Sequence, residues 1–188
     1  MQLTPRLERA IKTATVAHRK QTRKGGDIPY IIHPFGVMCI ASGGTDDEDI
    51  LIACLFHDIL EDVSEEYSRT QMLADYGERV TSIVDGVTKN SELDSWQARA
   101  DSYLHHLEHE ASSESVIVSC ADKIHNLMST LEDYDMVGNK LWERFNAGRD
   151  KQLWWYEQIH RVVSQRLPDL SINKQLGDLV ITFQSLPR

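Results

Sequence analysis

The apolar spacing along the chain is that of a succession of helices. Leu7, Ala10, Ile11, Ala14 and Ala17 recur at the three- and four-residue steps of one helix face. Thr4-Pro5 just ahead of them is a start signal, because threonine caps free amides and proline is tolerated in the first turn. Gly25-Gly26 is the expected stop. After a turn at Asp27-Ile28-Pro29, a second helix is predicted over 34–42, closed by Gly43-Gly44. Thr45 or Asp46 then caps a third helix, with Asp47, Glu48 and Asp49 favouring its positive end. That helix is predicted to run on through residue 62. Between Ile50 and Phe56 it is apolar all round, the mark of a central, buried element. Periodicity places further helices at 67–76, 80–87, 96–110, 115–131, 141–146 and 151–166, and a short one after Pro168. No stretch alternates like a strand, and neither repeat nor linker interrupts the chain. The expectation is an all-α fold, one compact multi-helix bundle over 1–188.

Composition narrows the class. With 188 residues, 41% hydrophobic and 26% charged, the chain matches an ordinary globular domain. It can fold without disulfides or a structural metal. The 29 acidic side chains outnumber 20 basic ones, a net charge of −9. That sign disfavours broad nucleic-acid binding and leaves a small anionic ligand open. The longest apolar run, 50–56, is far shorter than the ~20 residues of a membrane span, and the first residues hold no hydrophobic signal region. Cys39, Cys54 and Cys120 are odd in number and sit in apolar stretches, which reads as small core cysteines of a reduced, cytoplasmic protein.

The chemistry concentrates at His57-Asp58-Ile59-Leu60-Glu61-Asp62, where a core helix turns polar. Residues four apart share a helix face, so His57 stacks with Glu61 and Asp58 with Asp62. Three acids and an imidazole gathered together cost stability unless a cation neutralises them. The alternative is a helix end emerging into water, but acids there oppose the helix dipole. Asp122 and Asn126 repeat the four-residue spacing after the apolar Val116-Ile117-Val118, with His125 nearby; a polar face turned to solvent is the competing reading. His33, ahead of Pro34, gains weight only from this company. Mixed imidazole and carboxylate ligands suit Mn²⁺, Fe²⁺ or Zn²⁺ better than Ca²⁺. His105, His106 and His109 lie on a charged amphipathic stretch and read as surface residues. Arg19, Lys20, Arg23 and Lys24 form a basic stripe near the end of the first helix, either a dipole-favoured helix end or a clamp for a phosphorylated ligand. Trp142, Trp154, Trp155 and Tyr156 read mainly as helix-packing core, with a place in the nucleotide pocket or a subunit contact open for some of them.

These pieces, in this order, resemble the HD-domain superfamily of metal-dependent phosphohydrolases, and more narrowly the hydrolase domain of RelA/SpoT-type proteins and stand-alone small alarmone hydrolases. The matching stretches are A-H-R-K-Q-T-R-K-G-G-D-I-P-Y-I-I-H-P (17–34), L-F-H-D-I-L-E-D-V (55–63), Y-G-E-R-V-T-S-I-V-D-G-V-T-K (76–89) and V-S-C-A-D-K-I-H-N-L (118–127). The resemblance implies an all-helical domain over 1–188, with core motifs at about 10–130 and later helices packed on it. It implies a single Mn²⁺ site, open to other divalent ions, held by His33, His57, Asp58 and Asp122. Glu61 and Asp62 become the acid/base and water-orienting pair, and Asn126 orients nucleotide or water. Arg23, Lys24, Tyr30 and Arg99 become substrate contacts. The implied reaction removes the 3′-diphosphate of (p)ppGpp by attack of water on phosphorus. The family often has Met-Arg-Thr after the asparagine and Arg-Lys early in the long middle helix. Here those places read Leu127-Met128-Ser129-Thr130 and Arg99-Ala100. The expected partner is a small phosphorylated nucleotide rather than nucleic acid or a membrane, and homo-oligomerisation stays open. Two other readings also stay open: the same metal site acting on another nucleotide, such as an adenosine alarmone or NADPH, and a non-catalytic nucleotide sensor.

Overall fold

A computed structural model describes residues 1–23, 26–89, 93–145 and 147–187. The chain is helical as expected. In order come α1 (Pro5–Ala17), α2 (Ile32–Ala41), α3 (Glu48–Phe56), α4 (Ile59–Asp62), α5 (Arg69–Asp85), α6 (Trp96–His109) and α7 (Ser113–Val137). A 3₁₀ segment (Gly138–Arg144), α8 (Gly148–Arg166) and α9 (Asn173–Ser185) follow. No strand forms among the described residues; Thr22 and Pro29 make an isolated antiparallel bridge.

The spindle of the fold is α3. All residues from Ile50 to Phe56 are buried, and α1, α2, α5 and α7 pack around them. The small face of α1, Ala10, Ala14 and Ala17 beside Leu7, is buried against this centre. The cap of α3 is Asp47, whose side chain accepts from the Asp49 amide at 3.0 Å, not Thr45 or Asp46. Thr45 instead accepts from the Asp47 amide through its hydroxyl. Arg79 donates to Asp47 and Asp49, and Arg6 to Asp49, so the crowded acids at this helix start are neutralised.

Several boundaries depart from the pattern. The first helix ends at Ala17 rather than at Gly25. Past that point the backbone bonds across a small hairpin instead: the Arg23 amide donates to Ile28 and the Tyr30 amide to Gln21. Arg19, Lys20 and Arg23 therefore do not share a helix face, and Arg19 and Lys20 both pair with Glu66 at 2.6 Å. The third helix breaks at His57-Asp58. The His57 ring takes the Cys54 carbonyl at 2.8 Å, the acceptor that the Asp58 amide would use in a continuous helix. Segments 67–76 and 80–87 merge into α5, but with a kink at Gly77 (φ 86, ψ 173), backbone that a side chain rarely adopts. Segment 141–146 begins as the 3₁₀ run, and α9 is a full helix because Leu176, Val180 and Phe183 are buried. Cys54 and Cys120 are core residues as expected, whereas Cys39 is exposed. Trp142 stacks on Phe183 at 5.2 Å, in keeping with a packing role. His105 and His109 are exposed, as read from the charge pattern, whereas His106 is half-buried and bonded to Glu110 at 2.9 Å. No helix among the described residues is long and apolar enough to cross a membrane.

Candidate metal centre and adjoining cavity

The break after α3 and the start of α2 face one another, with the middle of α7 across from both. This brings together four side chains widely separated in sequence. His33 Nε2 lies 3.2 Å from His57 Nε2. Asp58 Oδ2 is 3.0 Å from His57 Nε2 and 3.4 Å from His33 Nε2. Asp122 Oδ1 is 3.2 Å from His33 Nε2 and 3.7 Å from His57 Nε2. The imidazoles are almost wholly buried, 1% and 4% exposed. Ligand atoms about 2.1 Å from one ion and 90–120° apart lie roughly 3.0–3.6 Å from each other, so these spacings suit a shared cation. His57, His33 and Asp58 form a candidate divalent-metal site on their own.

The tautomers agree. A carbonyl only accepts, so His57 Nδ1 carries the proton toward Cys54, leaving its Nε2 lone pair for the cluster. The Tyr30 hydroxyl donates to Asp58 Oδ2 at 2.6 Å, and burial together with the Asp58 charge keeps that phenol protonated. Lys123, buried on α7, pairs with Asp122 Oδ2, while the Asn126 amide donates to Asp122 Oδ1. Burial pushes the Lys123 ammonium down, and the Asp122 charge more than reverses this, so it stays charged.

The cluster demands positive charge. Burial pushes His57 down, but the charges of Asp58 and Asp122 outweigh it and carry it up to about 10. Burial raises Asp58 and Asp122; the His57 charge on Asp58, the Lys123 charge on Asp122, and hydrogen bonds from both imidazoles hold the two acids well below the carboxylate range. Without metal, then, the His57 contribution to stability is complete below its ordinary pKa of about 6.5 and is lost as pH rises through about 10. The two acids contribute above the ordinary carboxylate range and lose that contribution on acidification below it. Urea unfolding of EDTA-treated protein from pH 3 to 10 should give a stability maximum between about pH 4 and 6.5. Added divalent ion, which substitutes for the imidazole proton, should flatten the alkaline decline.

Beside this cluster lies a cavity of ≈ 230 Å³ whose walls include Lys89, Trp96, Arg99, Lys123, Asn126 and Trp155. Three cationic side chains in a chain of net −9 mark it as a place for an anion. Arg99 is anchored by donating to the Leu93 carbonyl at 2.6 Å.

The remaining expected residues divide. Glu61 and Asp62 do not join the imidazoles, because the break in the third helix sets them at the rim. Glu61 lies 3.4 Å from Lys89 Nζ, and Asp62 accepts from Gln21 at 2.8 Å. Arg23 sits over the Tyr30 ring at 5.7 Å. Lys24 lies outside the described residues. Tyr30, expected to meet substrate, holds Asp58. Sequence reasoning missed Lys123, Gln21, Lys89 and the cavity tryptophan Trp96, while Trp155 belongs to the group left open to line a pocket. A lysine beside Asp122 in an otherwise apolar stretch was the available signal for the first of these.

A family model described as an HD domain matches residues 10–150. The chain belongs to the HD domain family. Its fold is shared by a structure of a metazoan ortholog of SpoT described as hydrolysing ppGpp, with TM-score 0.79 and 21% identity over 100% of this chain and 99% of that one. A Listeria monocytogenes EGD-e structure aligns with TM-score 0.71 and 25% identity, over 81% of this chain and 99% of that chain. Among curated relatives, a guanosine-3′,5′-bis(diphosphate) 3′-pyrophosphohydrolase of Aquifex aeolicus is 32% identical over 179 residues, 94% of this chain and 24% of that protein. One of the same name from Xenopus tropicalis is 35% identical over 121 residues, 63% of this chain and 65% of its own length. A GTP pyrophosphokinase of Streptomyces coelicolor is 33% identical over 86% of this chain and 22% of its own. The chain thus spans only about a fifth to a quarter of the first such relatives.

Proposed function

We propose that this HD domain, acting as one unit over 1–188, is a Mn²⁺-dependent hydrolase that removes the 3′-diphosphate of (p)ppGpp. The observation that carries the reading is the convergence of His33, His57, Asp58 and Asp122 beside a cation-lined cavity. The names of the curated relatives support the substrate. Those four side chains would hold the ion, which when bound polarises a phosphoryl oxygen and eases deprotonation of the attacking water. Lys89, Arg99 and Lys123 offset the substrate's negative charge. Asn126, fixed through Asp122, orients a reacting group at the cavity wall. Glu61 and Asp62 stand at the rim within reach of solvent and serve as proton acceptor and relay; Gln21 and Lys89 hold the two carboxylates in place.

The test is pyrophosphate release from a panel of ppGpp, pppGpp, an adenosine alarmone and NADPH, with and without Mn²⁺. Expected is Mn²⁺-dependent release from the guanosine substrates. Glu61→Ala should keep metal affinity within about twofold yet lose turnover by about 10²–10⁴-fold. A second reading, turnover of a different phosphorylated nucleotide, draws on the tryptophans in the cavity wall and the Arg99-Ala100 pair, one cation short of the family pattern. Faster turnover of a non-guanosine member of the panel would favour it.

A further inference from the structure

The two histidines of the cluster are oriented by different devices. His57 uses a backbone carbonyl. His33 uses another imidazole: its Nδ1 lies 3.0 Å from Nδ1 of His125, with the rings edge to face at 4.8 Å. Two nitrogens at that distance need one proton between them. If His33 offers Nε2 to the cluster, its Nδ1 carries the proton and donates it, and His125 must accept through Nδ1 with its own proton on Nε2. His125 reaches this position because α2 is notched. Gly36, one turn after His33, faces the His125 ring so closely that a Cβ there would fall 2.0 Å from its Cδ2 and 2.2 Å from its Nε2. Glycine in a helix interior is ordinarily destabilising against alanine, so its place in α2 calls for such a reason.

We propose that His125, seated in the Gly36 notch, is a positioning residue that fixes the tautomer and ring orientation of His33 for the divalent ion. The inference rests on the metal reading above. It concerns how one ligand is held, not which atoms bind.

The experiment is calorimetric titration of the full chain with Mn²⁺, alongside urea unfolding of each EDTA-treated variant. Wild-type chain should bind. His125→Leu, which keeps bulk and removes the acceptor, should weaken binding about 10–100-fold. His125→Asn, which restores an acceptor near the Nδ1 position, should recover most of that loss, a rescue that a purely space-filling role would not produce. Gly36→Ala should also weaken binding in the wild-type background, but not in His125→Ala/Gly36→Ala relative to His125→Ala, where no side chain fills the notch, if the glycine acts only through the imidazole. Unaltered affinity in His125→Leu, failure of the asparagine rescue, or an equal Gly36→Ala loss in both backgrounds each overturns the inference while leaving the metal reading intact. A wild-type chain that binds no divalent ion overturns both.

Discussion

Asp122→Ala is expected to destabilise the metal-free protein by about 3–5 kcal/mol, the range for stripping one partner from a buried ion pair. The carboxylate is bonded to Lys123, whose side chain is only 5% exposed. Without Asp122 that ammonium keeps the faces of Tyr103 and Trp155, 5.5 and 5.9 Å away, which offset only part of the lost charge pairing. The measurement is a double-mutant cycle by urea unfolding. Lys123→Met in the Asp122→Ala background should restore most of the lost stability, because it removes the stranded charge and fills the same space. If the double variant is as unstable as Asp122→Ala alone, the penalty lies in the acid's contacts with the imidazoles and not in the orphaned lysine.

The second large effect is on activity. Asp58→Ala should abolish detectable Mn²⁺ binding and lower hydrolysis by about 10³-fold or more, corresponding to several kcal/mol of lost transition-state stabilisation. Asp58 touches both imidazoles and is held by Tyr30, so its loss opens the cluster on the side where it is least buried. Its effect on folding should be smaller than that of Asp122→Ala, since the buried cation beside it, His57, keeps Asp122 as a partner and can shed its proton, whereas Lys123 loses its carboxylate partner. Parallel calorimetry, activity assays and unfolding separate these outcomes. Retained Mn²⁺ affinity in Asp58→Ala would remove this carboxylate from the ligand set.

How far the sequence could be read depended on the range of the interaction. Local signals were plain. The apolar run at 50–56 announced a buried helix, and Thr4-Pro5 announced a start. His57 and Asp58 stood out as polar residues closing an apolar helix and Asp122 as one following an apolar run, whereas His33 drew its weight only from their company and from the family resemblance. What failed was whatever a side chain does to a distant or competing backbone group. Continuity through residue 62 was undone by the His57 ring capturing the Cys54 carbonyl, and with it Glu61 and Asp62 moved to the rim. The basic stripe, as a helix face, was undone by the hairpin that carries Gln21 and Arg23 back toward Tyr30. Lys123 was overlooked because a buried lysine is rare without a partner, and periodicity does not reveal that its neighbour Asp122 is that partner. The bond from Tyr30 to Asp58 was not legible because its hydroxyl reaches 28 positions along the chain.

The placement of His57 at the tip of the spindle has one more consequence. Seven buried residues precede it, enclosed by α1, α2, α5 and α7, and no fraying loop gives the imidazole a private exit. The imidazole is therefore held in place by the same packing that holds the interior together. Amide exchange along this rod should then be among the slowest in the chain.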